Sequence, residues 1–291
     1  MVHTLTLAFL GAPPPAAAQQ DAFFHRAPCH VAFLAVAADD NARKVGKLST
    51  LARTLRENRA AKAAEIGVLA VIAFAVVFTG WRIVGDNPIA RQAVVWVANV
   101  LMLITIWIGL RLRGQTWGDL GLRLKANPRA LGRTFLQSIV VLIFAVVAFV
   151  AGSVLMANVT AAPEAADMSG YSYLQGNLPL LLLALVSVYG VSSFGEETIY
   201  RGFLLTRLEE MGGGGQAASS LAVVTSSVVF GLVHFDWGVV GIIQTTFMGL
   251  ALAISYLMVK RNLWVLILAH AYMDTALLVQ MYLGPPAGAS A

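Results

Sequence analysis

Five residues of this chain combine acid–base chemistry with apolar surroundings: Glu196, Glu197, His234, His270 and Asp274. The two glutamates interrupt a long apolar run in the string Ser193-Phe194-Gly195-Glu196-Glu197-Thr198-Ile199-Tyr200-Arg201-Gly202. A charged side chain at membrane depth costs several kcal/mol, so such residues are kept for function or for pairing. On a helix, Glu197 and Arg201 lie four apart on one face and can pair, whereas Glu196 points about 100° away toward another neighbour. The pairing predicts that Arg201 fixes Glu197 and leaves Glu196 free to act as a general base. His234 closes a second apolar run, Phe230-Gly231-Leu232-Val233-His234. His270 and Asp274 stand four apart in the last run and share a helix face, where a carboxylate can fix an imidazole's tautomer and raise its basicity. Each piece taken alone has a plainer reading: a Glu-Arg pair pinning a helix end, or a histidine hydrogen-bonded in a packed core.

The elements that must position these groups are membrane helices. The chain has 291 residues, 58% hydrophobic and 12% charged, against about 25% charged in soluble domains. Gln92 to Leu110, Thr134 to Pro163, Met168 to Gly195 and Trp237 to Val259 carry no formal charge, and about 20 apolar residues cross a bilayer. The expected fold is all-α, a polytopic transmembrane helix bundle of about seven spans. These are Ile66 to Trp81, Gln92 to Leu110, Thr134 to Ala157, Pro179 to about Phe203, Ala217 to Phe235, Trp237 to Val259 and Leu263 to Leu283.

Arg53, Arg56, Arg59 and Lys62 precede the first span, and Arg111, Arg113, Arg123, Lys125, Arg129 and Arg133 lie between the second and third. Arg201, Arg207, Lys260 and Arg261 fall on the same side, and Arg82 and Arg91 alone on the other. That asymmetry places the N-terminus in the cytoplasm, and it reads the net charge of +5 as an orientation signal rather than a nucleic-acid site. Trp81, Trp117, Trp237 and Trp264 are expected to be interfacial anchors, and Gly212 to Gly215 a flexible turn. Residues 1–48 read as a poorly structured tail or the product of a misassigned start. A cleaved signal peptide ending near Ala16 to Ala18 is the weaker reading, because the segment has no leading Lys or Arg. Residues 49–291 form the helical domain. The single cysteine, Cys29, excludes an intramolecular disulfide framework and a thiolate metal cluster, so any metal would need His and carboxylates.

Three ordered motifs carry a resemblance: Glu-Glu-x-x-x-Arg at Glu196 to Arg201, Phe-x-x-x-His at Phe230 to His234, and His-x-x-x-Asp at His270 to Asp274. In these the chain resembles the CPBP intramembrane proteases, which include the type II CAAX prenyl endopeptidases and bacterial bacteriocin-immunity relatives. The likeness covers about residues 175–280, and Gly118 to Arg123 resembles the family's amphipathic connector more weakly. The resemblance implies that Glu196 and His234 hold and deprotonate a water, that His270 and position 274 stabilise an oxyanion, and that Glu197 and Arg201 orient the site. Many relatives carry Asn where this chain has Asp274. An ionised Asp cannot donate to an oxyanion, so Asp274 is expected to orient His270 instead, the alternatives being a carboxyl protonated by burial or a ligand to a cation.

The expected function is endopeptidase cleavage of a peptide or protein substrate within or at the lipid bilayer, in a bacterial inner membrane, with no cofactor. The family has also been described as metal-dependent, and in that case Glu196, His234 and His270 would hold zinc; no His-Glu-x-x-His helix supports this. A noncatalytic immunity or peptide-binding protein and an ion-coupled transporter are the competing readings. Geometry poses one difficulty. If Ala217 to Phe235 crosses the whole bilayer, His234 lies near the outer face while a span ending near Phe203 puts Glu196 near the inner one. A tilted or broken helix after Gly215 would be needed to bring them together.

Overall fold

A computed structural model describes residues 49–123, 127–159 and 166–284. The expectations for residues 1–48 and for Lys125 fall outside these. Seven helices are long and apolar enough to span a membrane: α1 (Arg59–Val84), α2 (Pro88–Leu112), α3 (Pro128–Val159), α4 (Leu178–Met211), α5 (Gly215–Leu232), α6 (Gly238–Met258) and α7 (Leu263–Leu283). No strand occurs among the described residues. Asparagine opens four of the helices: the side chains of Asn58, Asn87, Asn127 and Asn177 accept from backbone amides of the first turns of α1, α2, α3 and α4. Each satisfies a donor that the helix itself leaves free. Pro88 and Pro128 follow directly, where a missing N–H costs nothing.

α4 is longer than its apolar pattern indicates, 34 residues in all. The apolar stretch fades after Phe203, but the helix continues because its polar end is paired. Arg207, 1% exposed, donates to Glu65 of α1 at 3.3 Å, to Glu210 at 3.1 Å and to Gln115 at 3.0 Å. Arg113, fully buried, donates to the other Glu65 oxygen at 2.7 Å and to the Leu55 carbonyl. Lys62 reaches Glu210 at 3.2 Å, and Arg261 pairs with Glu209. This network joins α1, α2, α4 and the α6–α7 turn at one end of the bundle, and a span boundary drawn from apolarity alone stops short of it.

α5 and α6 pack back to back through small residues, as membrane helices do when backbones must approach closely. A Cβ on Gly231 would run into the Thr246 hydroxyl and come within 2.7 Å of the Ile242 carbonyl, and one on Gly249 would meet the Phe230 ring at 3.0 Å. On the neighbouring face Gly152 of α3 lies against the Gln244 backbone, and Gln244 donates to Ser153 at 2.8 Å. In contrast α1 buries little of itself, and its Val71, Phe74 and Ile83 are exposed to the bilayer. Near residue 121 the chain turns at a positive φ of 95°, where an added Cβ would strike the Arg261 carbonyl. The Gly121 carbonyl accepts from the Leu263 amide at 3.1 Å, which seats the start of α7.

Two outcomes are expected in detergent. Glu65→Ala, which strips Arg113 of its carboxylate, should cost about 3–5 kcal/mol, read as a fall in thermal unfolding midpoint. Gly231→Ala should cost about 1–3 kcal/mol by overpacking. Thr246→Ala should restore part of that loss, because it removes the hydroxyl that the new methyl meets; no rescue in the double variant would show that the α5–α6 contact is not the constraint.

Candidate active site

The site is built where α4 changes its winding. Residues 188–193 and 197–205 are π-helical, with three α-helical residues, Phe194–Glu196, between them. π-turns inside longer helices concentrate at functional positions. Here the irregular winding carries Ser193, Glu196, Glu197 and Arg201, and every residue from Glu197 to Leu205 is buried.

Arg201 donates to Glu197 Oε1 at 2.9 Å, faces the Gly249 carbonyl at 3.4 Å, and lies with its guanidinium 4.1 Å from the centre of the Phe230 ring. The expected pair on one helix face is therefore formed, and it reaches α5 and α6 as well. Glu197 Oε1 also faces His270 Nδ1 at 2.8 Å. Held by Arg201, the carboxylate accepts, so Nδ1 of His270 donates. The other ring nitrogen, Nε2, lies 4.0 Å from Glu196 Oε2 and 3.6 Å from Asp274 Oδ1. One imidazole thus stands between the two adjacent glutamates. The helix partner expected from spacing, Asp274, is beyond hydrogen-bond distance, and the hydrogen bond that anchors His270 goes to Glu197 instead. Asp274 Oδ2 accepts from the Ser193 hydroxyl at 2.7 Å.

His234 lies just past the end of α5, and its Nδ1 is 2.7 Å from the Phe230 carbonyl. A carbonyl only accepts, so Nδ1 carries the proton and Nε2 presents its lone pair. The ring sits between Phe230 and Trp237, with centroids 4.8 and 4.9 Å away. Trp237, expected as an interfacial anchor, is also a wall of the site. Asp236, beside it, is exposed.

The depth of His234 is explained by register, not by a broken helix. α5 runs unbroken from Gly215 to Leu232. Ser219 of α5 donates to Glu209 of α4, and Phe230 of α5 meets Arg201 of α4. His234 follows Phe230 by one turn, and Glu197 precedes Arg201 by one turn, so the antiparallel pair brings them level. Glu196 is 15 residues from the end of α4 at Met211, about 22 Å. The boundary near Phe203 had set it too close to the basic end. α7 in turn begins deep in the bundle, with Leu263 against Gly202, so His270 reaches the same level within two turns.

Glu196, His234, His270 and Asp274 line one cavity of about 1550 Å³, whose walls include Tyr171, Tyr200 and Met102. Gly212 to Gly215 are at the opposite end and do not line it. Glu197 and Arg201 lie behind this surface. Sequence reasoning missed two contributors. Ser193 holds Asp274, and a lone hydroxyl one turn from a glutamate is its only signal in the sequence. Phe230 links the Arg201, His234 and His270 side chains; its spacing reveals the contact with His234, but not those with Arg201 and His270 on other helices.

A zinc ion would have to draw on Glu196, His234 and His270. Nδ1 of both histidines is engaged, so Nε2 would have to bind it; among the described residues no group of three or more His, Cys, Asp or Glu is arranged to hold a metal.

The family model described as "Type II CAAX prenyl endopeptidase Rce1-like" matches residues 177–276, which include all three motifs. Comparisons with curated proteins and with solved structures give no match. Seven helices long and apolar enough to cross a membrane make the chain a multi-pass membrane protein, and the likeness of residues 177–276 to this peptidase model supports membership of the CPBP family.

Proposed function

We propose that the protein is an intramembrane endopeptidase in which Glu196 and His234 activate a water against a peptide bond. The observation that carries this reading is the tautomer of His234. With Nδ1–H given to the Phe230 carbonyl, its Nε2 faces the site as an acceptor, in the cavity that Glu196 also lines. Water held between the two loses a proton to Glu196 as its oxygen attacks the scissile carbonyl carbon. The carbonyl π electrons move to oxygen, and the tetrahedral intermediate needs a donor there. His270 Nε2 supplies it as an imidazolium, since Nδ1–H is committed to Glu197; the carboxylates of Asp274 and Glu196 at 3.6 and 4.0 Å balance that charge. Collapse breaks the C–N bond, and the proton on Glu196 passes to the leaving amine.

Asp274 acts as an acceptor in this scheme. Ser193 fills one oxygen and His270 faces the other, so an aspartate suits a position where many relatives carry an amide. Glu197 and Arg201 are positioning residues, because they touch the reacting groups only through His270 and Phe230. The protein is oriented with its N-terminus in the cytoplasm of a bacterial cell and spans the inner membrane, as the clustering of Lys and Arg at one end supports.

Glu196→Gln and His234→Ala should each lower peptide cleavage by purified protein about 10²- to 10⁴-fold. Cleavage by the unaltered protein should survive a strong chelator. Unchanged turnover in Glu196→Gln would sink the proposal. Loss of cleavage in chelator, reversed by zinc, would instead retain the peptidase and replace its mechanism.

A further inference from the structure

The shared cavity has one polar end. Its wall there comes from the connectors α1–α2, α3–α4 and α5–α6, which contribute Asp86, Asp167, Tyr171 and Asp236. The hydroxyl and amide of Ser169 hold the Asp167 carboxyl below the usual carboxylate range. The connectors at the opposite end, α2–α3, α4–α5 and α6–α7, contribute nothing to the cavity wall among the described residues.

The cavity reaches Ile199, Phe203 and Leu204 of α4, which line its inner end. Beyond them Leu205, Leu120 and Leu263 are buried, followed by the ion-pair network of Glu65, Arg113 and Arg207. The sealed end is also the basic end. Arg56, Arg59, Lys62, Arg123 and Arg261 belong to it, whereas the open end has Arg82 and Arg91 with three aspartates. Short loops rich in Lys and Arg stay in the cytoplasm.

We infer that the catalytic cavity opens on the non-cytoplasmic face, so that its substrates are peptide segments of exported or membrane-anchored chains lying outside the cytoplasm. A cytoplasmic peptide would meet the sealed, ion-paired end. This inference rests on the proposed peptidase activity for the word substrate. The direction of the opening stands on the charge distribution and the cavity alone.

Sidedness can be read without activity. In a Cys29→Ser background, Gly170→Cys places a thiol on the open rim, where an added Cβ meets nothing within 4 Å. Gln216→Cys places one on the exposed start of α5 at the basic end. Right-side-out vesicles from a bacterial host are treated with a membrane-impermeant polymer maleimide. Gly170→Cys should shift in mass from outside, whereas Gln216→Cys should do so only after detergent. Asp236→Cys, also exposed on the rim, repeats the first arm should Gly170→Cys fail to accumulate. External labelling of Gln216→Cys, alone or equal to that of the rim positions, would overturn the inference. In a second arm, an impermeant internally quenched peptide cut by the solubilised protein should be cut by right-side-out vesicles at least tenfold faster than by inverted ones. The reverse ratio would also overturn it. Labelling as expected, with no peptide cut even in detergent, would end the peptidase reading and leave the sidedness intact.

Discussion

A guanidinium with 1% of its surface exposed, deep among apolar helices, is the constraint around which this bundle is arranged. Arg201 cannot be left unpaired there: removing the partner of a buried charge costs about 3–5 kcal/mol, even where replacing the whole pair would not. Its needs are met from several elements. Glu197 supplies the carboxylate from the same helix, Gly249 of α6 a carbonyl, and Phe230 of α5 an aromatic face. Glu197 in turn holds His270 of α7 through the same oxygen that takes Arg201. Four helices are thus tied at one level, and the groups proposed to do chemistry hang from that tie.

The order of contacts suggests why two glutamates stand side by side. A single carboxylate cannot both neutralise a buried arginine and remain available to a water. Dividing the two tasks between consecutive residues works because helical winding turns them toward different neighbours. Glu197 faces the interior and is fully buried, and Glu196 faces the cavity with 13% of its side chain exposed. The π-helical winding on both sides of Phe194–Glu196 gives the helix enough latitude to serve both faces.

Much of this was legible from residue types. Apolar length located every span, since a bilayer imposes its thickness directly on the sequence, and the Glu197–Arg201 pair followed from helical periodicity alone. What could not be read was whatever depended on partners distant in sequence. α4 runs on to Met211 because Arg207, Glu209 and Glu210 find partners on α1 and the α6–α7 turn; locally they look like a solvated end. The level of His234 follows from that extra length, and so remained unsettled in the sequence. His270 was matched with Asp274 by spacing, whereas its hydrogen bond crosses to another helix. Short-range rules give the faces of helices, and the register between helices comes from contacts those rules do not contain.

The light packing of α1 carries a consequence for the cavity it borders. This helix is tied at its start by Lys62 and Glu65, and near its other end Trp81 lies against Phe235 at 5.4 Å. Between these points, Ala73, Phe74 and Val77 form a cavity wall that has lipid on its other side. A helix that buries so little of itself can answer hydrocarbon thickness by tilting, since mismatch costs fractions of a kcal/mol per ångström. The width of the chamber is therefore shared between the protein and the membrane around it: lipid composition becomes a variable of the site, acting through a wall that touches none of the reacting groups.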